Sequence, residues 1–188
     1  MPRRLPLVSF VSLLLAAGVL LVGCTTPDPA PTPTPSATPS ESDSPTPTPE
    51  PTQTPSSTPV DIPCDELVSL QAMYDFNPNF SLLSSWTPDA GTPAREALDA
   101  HGVACRWQND TSGDTIDVSV ASFDEGGISA KQADAASGTS TSYGYFVAAG
   151  GVGTATAFDG SYWVVIRSAW FSAPGDAEQL VESVLAAL

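Results

Sequence analysis

Between Thr25 and Val60 the chain consists almost wholly of Pro, Thr and Ser, in runs such as Pro31-Thr32-Pro33-Thr34-Pro35 and Pro45-Thr46-Pro47-Thr48-Pro49. This stretch constrains everything else. It has almost no apolar side chains and so cannot bury a core. Proline fixes φ and favours extended polyproline II at about 3.1 Å per residue, so the run spans on the order of 100 Å when fully extended. Ser and Thr interleaved with Pro is also the composition of O-glycosylated stalks. A fold is therefore expected only in residues 61–188, which is length enough for one domain with its own core.

What precedes the run reads as an export signal over residues 1–23. Arg3 and Arg4 form a basic start, and Leu7 to Leu21 an apolar segment too short for a comfortable spanning helix. The segment closes on Leu21-Val22-Gly23-Cys24. Small residues followed by cysteine at this place resemble the lipobox of bacterial lipoproteins. That resemblance implies diacylglycerol on the Cys24 thiol by thioether formation, with Cys24 becoming the first mature residue. Two or more acyl chains give durable anchoring, at roughly 0.8 kcal/mol per buried CH2. Residues 24–60 then form a lipidated cysteine and its linker, and the domain faces away from the cytoplasm, on the outer side of the cell membrane. An uncleaved single-pass anchor is the alternative and leads to the same side.

Charge narrows the partners. The chain has 6 Lys+Arg against 21 Asp+Glu. Arg3 and Arg4 precede Cys24, so the mature part carries 4 basic against 21 acidic residues, a net charge of −17. Such a charge repels nucleic acid and anionic headgroups, which excludes a nucleic-acid role. It suits a soluble exported domain, or a surface that attracts cations.

The chain has 3 cysteines. With Cys24 assigned to lipid, Cys64 and Cys105 remain, and an oxidising compartment favours their pairing. A zinc site would need more ligands than two thiols and the lone His101 provide without CxxC spacing. Periodicity agrees with the pairing. Pro63 suits a helix start, and Cys64, Leu67, Val68, Gln71 and Tyr74 fall on one helical face. Val103, Cys105 and Trp107 alternate along a strand with the same inward sense. A bridge closing a loop of about 42 residues is worth roughly 4 kcal/mol in the chain-entropy model.

Thr92-Pro93 reads as an N-cap followed by proline at the first helical position, with Gly102 ending that helix near His101. Residues 103–108 and 115–123 read as a hairpin around Asn109 to Asp114. Ile128 to Ala136 is an alanine-rich helix, and Asp124-Glu125-Gly126-Gly127 before it a turn. Tyr145 to Val147, Thr154 to Phe158 and Ser161 to Arg167 are strands, the last two flanking Asp159-Gly160. Tyr162 to Ile166 is apolar on both faces, as a central strand is. A helix from Pro174 to Ala187 buries Leu180, Val181, Val184, Leu185 and Leu188. The expected fold is α+β: an antiparallel sheet of about 4–5 strands packed with helices, with one disulfide.

No residue pattern signals catalysis. There is no GxSxG, the single histidine lacks a partner, and both remaining thiols are paired. Gly150-Gly151-Val152-Gly153 lacks the Lys-Ser/Thr of a phosphate loop, and the residues after Asp110 lack the alternating acids of a calcium loop. A carboxylate pair leaves no spacing signature, so an envelope hydrolase stays an alternative. Trp86, Tyr143, Tyr145, Trp170 and Phe171 lie in or beside loops and are the candidates for lining a groove. No cofactor and no metal is expected.

The whole chain resembles a group of secreted actinobacterial lipoproteins of uncharacterised function. The lipobox, the Thr/Pro linker, Tyr74-Asp75-Phe76-Asn77-Pro78-Asn79-Phe80, Gly102-Val103-Ala104-Cys105-Arg106-Trp107 and Gly160-Ser161-Tyr162-Trp163-Val164-Val165 carry the resemblance. The label of iron-transport ATP-binding protein borne by some of that group does not suit this chain. It has no Walker motif, and an extracytoplasmic domain has no access to ATP. The expectation is a cell-envelope lipoprotein with a non-catalytic binding or accessory domain, whose partner is an envelope protein or wall component. A small-solute or cation-binding lipoprotein serving a transporter is the alternative.

Overall fold

The computed structural model describes residues 56–188. Residues 1–55, which include Cys24, the expected signal and most of the Pro/Thr run, lie outside the described residues.

The alternating segments form the body of an antiparallel sheet. Strands β3 (Val103–Asn109) and β4 (Thr115–Phe123) make the first hairpin. Strands β6 (Gly144–Ala149), β7 (Val152–Asp159) and β8 (Tyr162–Ser168) make a meander with two-residue loops. The first loop is Gly150-Gly151, both at positive φ as such a tight hairpin requires. In the second, Asp159 pairs with Tyr162, so the loop residues are Gly160 and Ser161. The β8 strand pairs with β4 over seven residues, Ile116 to Ser122 against Ser168 to Tyr162. It therefore lies at the centre, as its two-sided apolar sequence requires.

The sheet has eight strands, not four or five. The additional ones are β1 (Ser57–Thr58), β2 (Phe80–Leu82) and β5 (Thr139–Ser140). Two or three residues cannot display an alternation, so these exist through their neighbours alone. The order is β2-β3-β4-β8-β7-β6-β5, with β1 pairing the last two residues of β4. Ser57 and Thr58 belong by composition to the Pro/Thr run, yet the ladder holds them. Val60 beyond them is buried, and its N–H donates to the His101 carbonyl at 3.0 Å.

Pleating separates two faces. The inner face presents Cys105, Trp107, Ile116, Val118, Val120, Val164 and Ile166, all buried. Helices α1 (Cys64–Leu67), α2 (Leu70–Phe76) and α5 (Gly175–Leu185) complete this core. The α5 stripe of Ala177, Leu180, Val181 and Val184 is fully buried. The outer face carries a smaller cluster of Ala121, Trp163 and Val165 under helices α3 (Pro93–Asp99) and α4 (Glu125–Ala135).

The cystine Cys64–Cys105 is present, with Cα atoms 5.6 Å apart, and joins α1 to β3. The continuous helical face expected to run from Cys64 to Tyr74 is interrupted. Val68 is extended, and the Ser69 hydroxyl caps α2 by accepting from the Ala72 N–H at 3.1 Å. The new phase turns Met73 inward and leaves Leu70 and Tyr74 exposed. Thr92 caps α3 as expected, accepting from the Arg95 N–H at 3.3 Å. The left-handed residue after that helix is His101, at φ 57°, and not Gly102. Gly102 is needed for a different reason: a Cβ there would overlap the Val120 carbonyl. Asp124 to Gly127 is no free turn, because α4 already begins at Glu125.

Asp124 caps α4 and also fixes the point where the Pro/Thr run enters the domain. Its Oδ1 accepts from the Gly127 N–H, and its Oδ2 accepts from the Ser56 N–H and hydroxyl, each at 2.8 Å. The Ser56 and Gly127 amides, helped by the Ser56 hydroxyl, hold its pKa below the ordinary carboxylate value. A depressed folded pKa contributes stability above the unfolded value, near about 3.9, and loses it as pH falls through the folded value. Asp124→Asn is expected to be less stable than the wild type at neutral pH, with the gap closing as pH drops below about 4. Urea midpoints across a pH series measure this, and a gap unchanged at low pH would contradict it.

The cystine gives a second expectation. Replacing Cys64 and Cys105 together by Ala is expected to cost about 2–5 kcal/mol, read as a lower denaturant midpoint with the oxidised wild type as reference. A midpoint equal to that of the wild type would show that the cross-link contributes nothing.

Candidate functional site

Helices α3 and α4 cover only part of the outer sheet face. Open clefts remain there, and two of them bring charged side chains together. The first holds about 250 Å³ between the helices and the meander, with Glu96, Lys131, Tyr145, Val147, Thr156 and Trp163 among its walls. Lys131 sits 4.6 Å from the centre of the Trp163 ring and forms an ion pair with Glu96. This contact bridges α4 to α3 across the tryptophan, so the cleft has a fixed floor and a polar rim.

The second cleft holds about 480 Å³ and lies over the start of β4 and the end of β8. Strand register builds it. Arg106 of β3 stands opposite Asp117 of β4, which stands opposite Arg167 of β8. One carboxylate thus separates two guanidinium groups across three adjacent strands. Arg106 claims both oxygens of Asp117, Nε to Oδ1 at 2.6 Å and a terminal nitrogen to Oδ2 at 2.7 Å. Its guanidinium carbon lies 3.8 Å from the centre of the Trp86 ring. Bidentate bonding and stacking together hold the planar group in one orientation. The bonds to Asp117 raise the Arg106 pKa above its ordinary value against an opposing effect of burial, and the nearby charge of Asp89 adds to the rise.

Arg167 is different. Arg95 pairs with Asp99, Arg106 with Asp117 and Lys131 with Glu96, but Arg167 has no ion pair among the described residues. It is half-buried and lines the second cleft beside Asp89, Thr92, Asp114 and Thr115.

The five groove candidates fall in four places. Trp86 borders the arginine cleft through its stack on Arg106, and Tyr145 lines the first cleft with its ring edge-on to Phe158. Trp170 is exposed at the end of β8, where its indole N–H donates to Asp114 Oδ2 at 3.1 Å. Phe171 is 2 % exposed and packs edge-on against Phe76 in the main core. Tyr143 leans on the same core, and its hydroxyl donates to the Pro174 carbonyl at 3.0 Å. Burial raises the pKa of that phenol. The five rings therefore do not share one groove.

His101 is exposed, with its backbone carbonyl engaged by Val60. Among the described residues, no group of His, Cys, Asp and Glu side chains is arranged to hold a metal ion. No described helix is long and apolar enough to cross a membrane. No protein-family model matches the chain, no characterised protein matches it, and no solved structure matches it.

Arg106, Asp117, Arg167 and Lys131 were not legible as a set. Alternation assigns each strand residue to the solvent side, and the hairpin brings Arg106 to Asp117. Bringing Arg167 to the same row takes the β4–β8 register, which no local signal contains.

Asp117→Ala is expected to destabilise the domain by about 1–3 kcal/mol, because it leaves Arg106 unpaired beside a second guanidinium. Urea unfolding measures the loss. Arg106→Ala in the same background should recover part of it, since the like-charge contact disappears, and a purely additive double variant would refute that account.

Proposed function

We propose that this chain is a cell-envelope lipoprotein, held to the outer face of the membrane by lipid on Cys24, whose domain binds its partner or ligand on the open outer face of the sheet. The observation that carries the reading is the cysteine inventory. Two of the 3 cysteines are joined in the cystine Cys64–Cys105, which suits an oxidising compartment. The third follows a basic start and an apolar segment, where a lipid acceptor belongs.

The geometry of entry supports the outer face as the binding surface. The run reaches the domain at Ser56, beside the C-terminal end of β4. The Arg106–Asp117–Arg167 row crosses β4 six residues earlier, about 20 Å away at the usual rise of a strand. A domain held through Ser56 presents that row toward the far end. The partner in this reading is an envelope protein or a wall component, with neither nucleic acid nor ATP involved.

For Asp124 and Asp176 a structural role is the better account. Asp124 and Asp176 have lowered pKa values, each held down by backbone N–H groups. A general acid needs the opposite shift. The alternative of a solute-binding lipoprotein serving a transporter is favoured by one observation, the cleft of about 480 Å³, which falls within the usual size range of small-molecule sites.

Mass spectrometry of the membrane-extracted protein tests the anchor. The expected N-terminal peptide begins at Cys24 and carries a diacylglyceryl increment, and Cys24→Ala abolishes both the increment and the cleavage. A wild-type protein that keeps residues 1–23, or that is cut elsewhere without lipid, would overturn the reading.

A further inference from the structure

We infer that the cleft at Arg167 binds an organic carboxylate that also carries an amino group: a free amino acid or a short zwitterionic peptide. The inference rests on the outer sheet face being the binding surface and adds the ligand class.

Two unequal arginines carry the argument. Arg106 has its charge balanced by Asp117 through two short hydrogen bonds and one face covered by Trp86, so it is the guanidinium already committed within the protein. Arg167 stands on the next strand, on the far side of the same carboxylate, without an ion pair among the described residues. A half-buried guanidinium offers a planar fork of donors that matches a carboxylate in two-point fashion. Both oxygens of Asp117 already accept from Arg106, so Asp117 is poorly placed to give Arg167 that match.

The acids of the cleft decide the rest of the ligand. Asp89 and Asp114 line the same cavity. Asp114 Oδ2 accepts from the Ser112 hydroxyl and the Trp170 indole, which fixes the carboxylate and leaves its other oxygen open. With Arg106 neutralised by Asp117, the unspent groups are one guanidinium and two carboxylates. A bare anion would be repelled by those acids and by the strongly acidic chain. A bare cation would meet the two carboxylates but leave Arg167 without a counter-charge. A ligand carrying both signs satisfies both, with its carboxylate on Arg167 and its ammonium toward Asp89 and Asp114.

Calorimetric titration of the full chain with L-alanine, L-alanyl-L-alanine, acetate and methylamine decides the matter. Alanine or the dipeptide is expected to bind, with acetate and methylamine each weaker by roughly tenfold or more. Tighter binding of free alanine identifies an amino-acid site, and tighter binding of the dipeptide identifies a site for a short zwitterionic peptide. Arg167→Gln is expected to lose this binding, and Arg95→Gln, on an exposed helix face, to keep it. The proposal falls if neither alanine nor the dipeptide binds, if acetate binds as well as alanine, or if folded Arg167→Gln binds unchanged. Should Arg167→Gln fail to fold, the four-ligand series on the wild type still decides. Failure at Cys24 in the anchoring experiment would leave this result untouched, so the two readings fail separately.

Discussion

The pairing of β4 with β8 is the interaction on which the remainder depends. Locally the chain makes two groups of strands, β2-β3-β4, in which α3 lies between β2 and β3, and the β5-to-β8 meander with its short connections. Neither has enough strands or helices to bury its own apolar face. Seven residue pairs between Ile116–Ser122 and Tyr162–Ser168 join them into one sheet. The join closes a long stretch of chain, and the entropy cost of such a closure grows only slowly with length. Against it stands the burial of Val164, Val165 and Ile166, with Val118 and Val120 opposite, all at most 2 % exposed. Fully burying one such side chain is worth about 1.5–3 kcal/mol.

That one register also divides labour between the faces. Odd and even residues of β8 serve opposite layers. Val164 and Ile166 meet the α5 side, while Trp163 and Val165 meet α3 and α4. The main core lies on the first side, where the cystine pins α1 to β3. The second side is closed only near Trp163, where Lys131 and Glu96 clasp the two short helices together. Farther along the same face the helices stop, and the row of Arg106, Asp117 and Arg167 is left open. A one-residue slip of β8 would turn Arg167 into the core, so stability and the cleft are set by the same pairing.

Sequence periodicity revealed the parts that are long enough to repeat. Five strands and the α5 stripe follow from spacing of two or of three and four, the central place of β8 from its two-sided apolar run, and the Cys64–Cys105 pairing from the cysteine inventory. The remaining strands β1, β2 and β5 are too short for any period, and β1 is hidden inside Pro/Thr composition. The break at Val68-Ser69 escaped because a helical face can be drawn through it, although the Ser69 cap restarts the helix in a new phase. Gly102 seemed a helix terminator, and its true constraint is the approach of the Val120 backbone from a strand remote in sequence. Aromatic residues near loops were a poor guide to a groove. Phe171 and Tyr143 are drawn into the core, whereas Trp86 and Tyr145 reach the open face and Trp170 touches it only through Asp114.

The arginine row shows why a functional surface can be invisible in a sequence of this kind. Each of its members looks like an ordinary solvent-facing strand residue. Charge composition even argues against attention to cations, since acids dominate the chain. In such a background, however, a cation without a carboxylate partner is harder to account for than in a neutral one, because acidic side chains are plentiful. Arg95, Arg106 and Lys131 have each found one. Arg167 has Asp117 as its cross-strand neighbour, and Arg106 takes both oxygens of that carboxylate. Trp86 reinforces the asymmetry by stacking on Arg106 and fixing which guanidinium is satisfied. That Arg167 has no ion pair among the described residues is thus a consequence of geometry at three strands, held by the same pairing that holds the core.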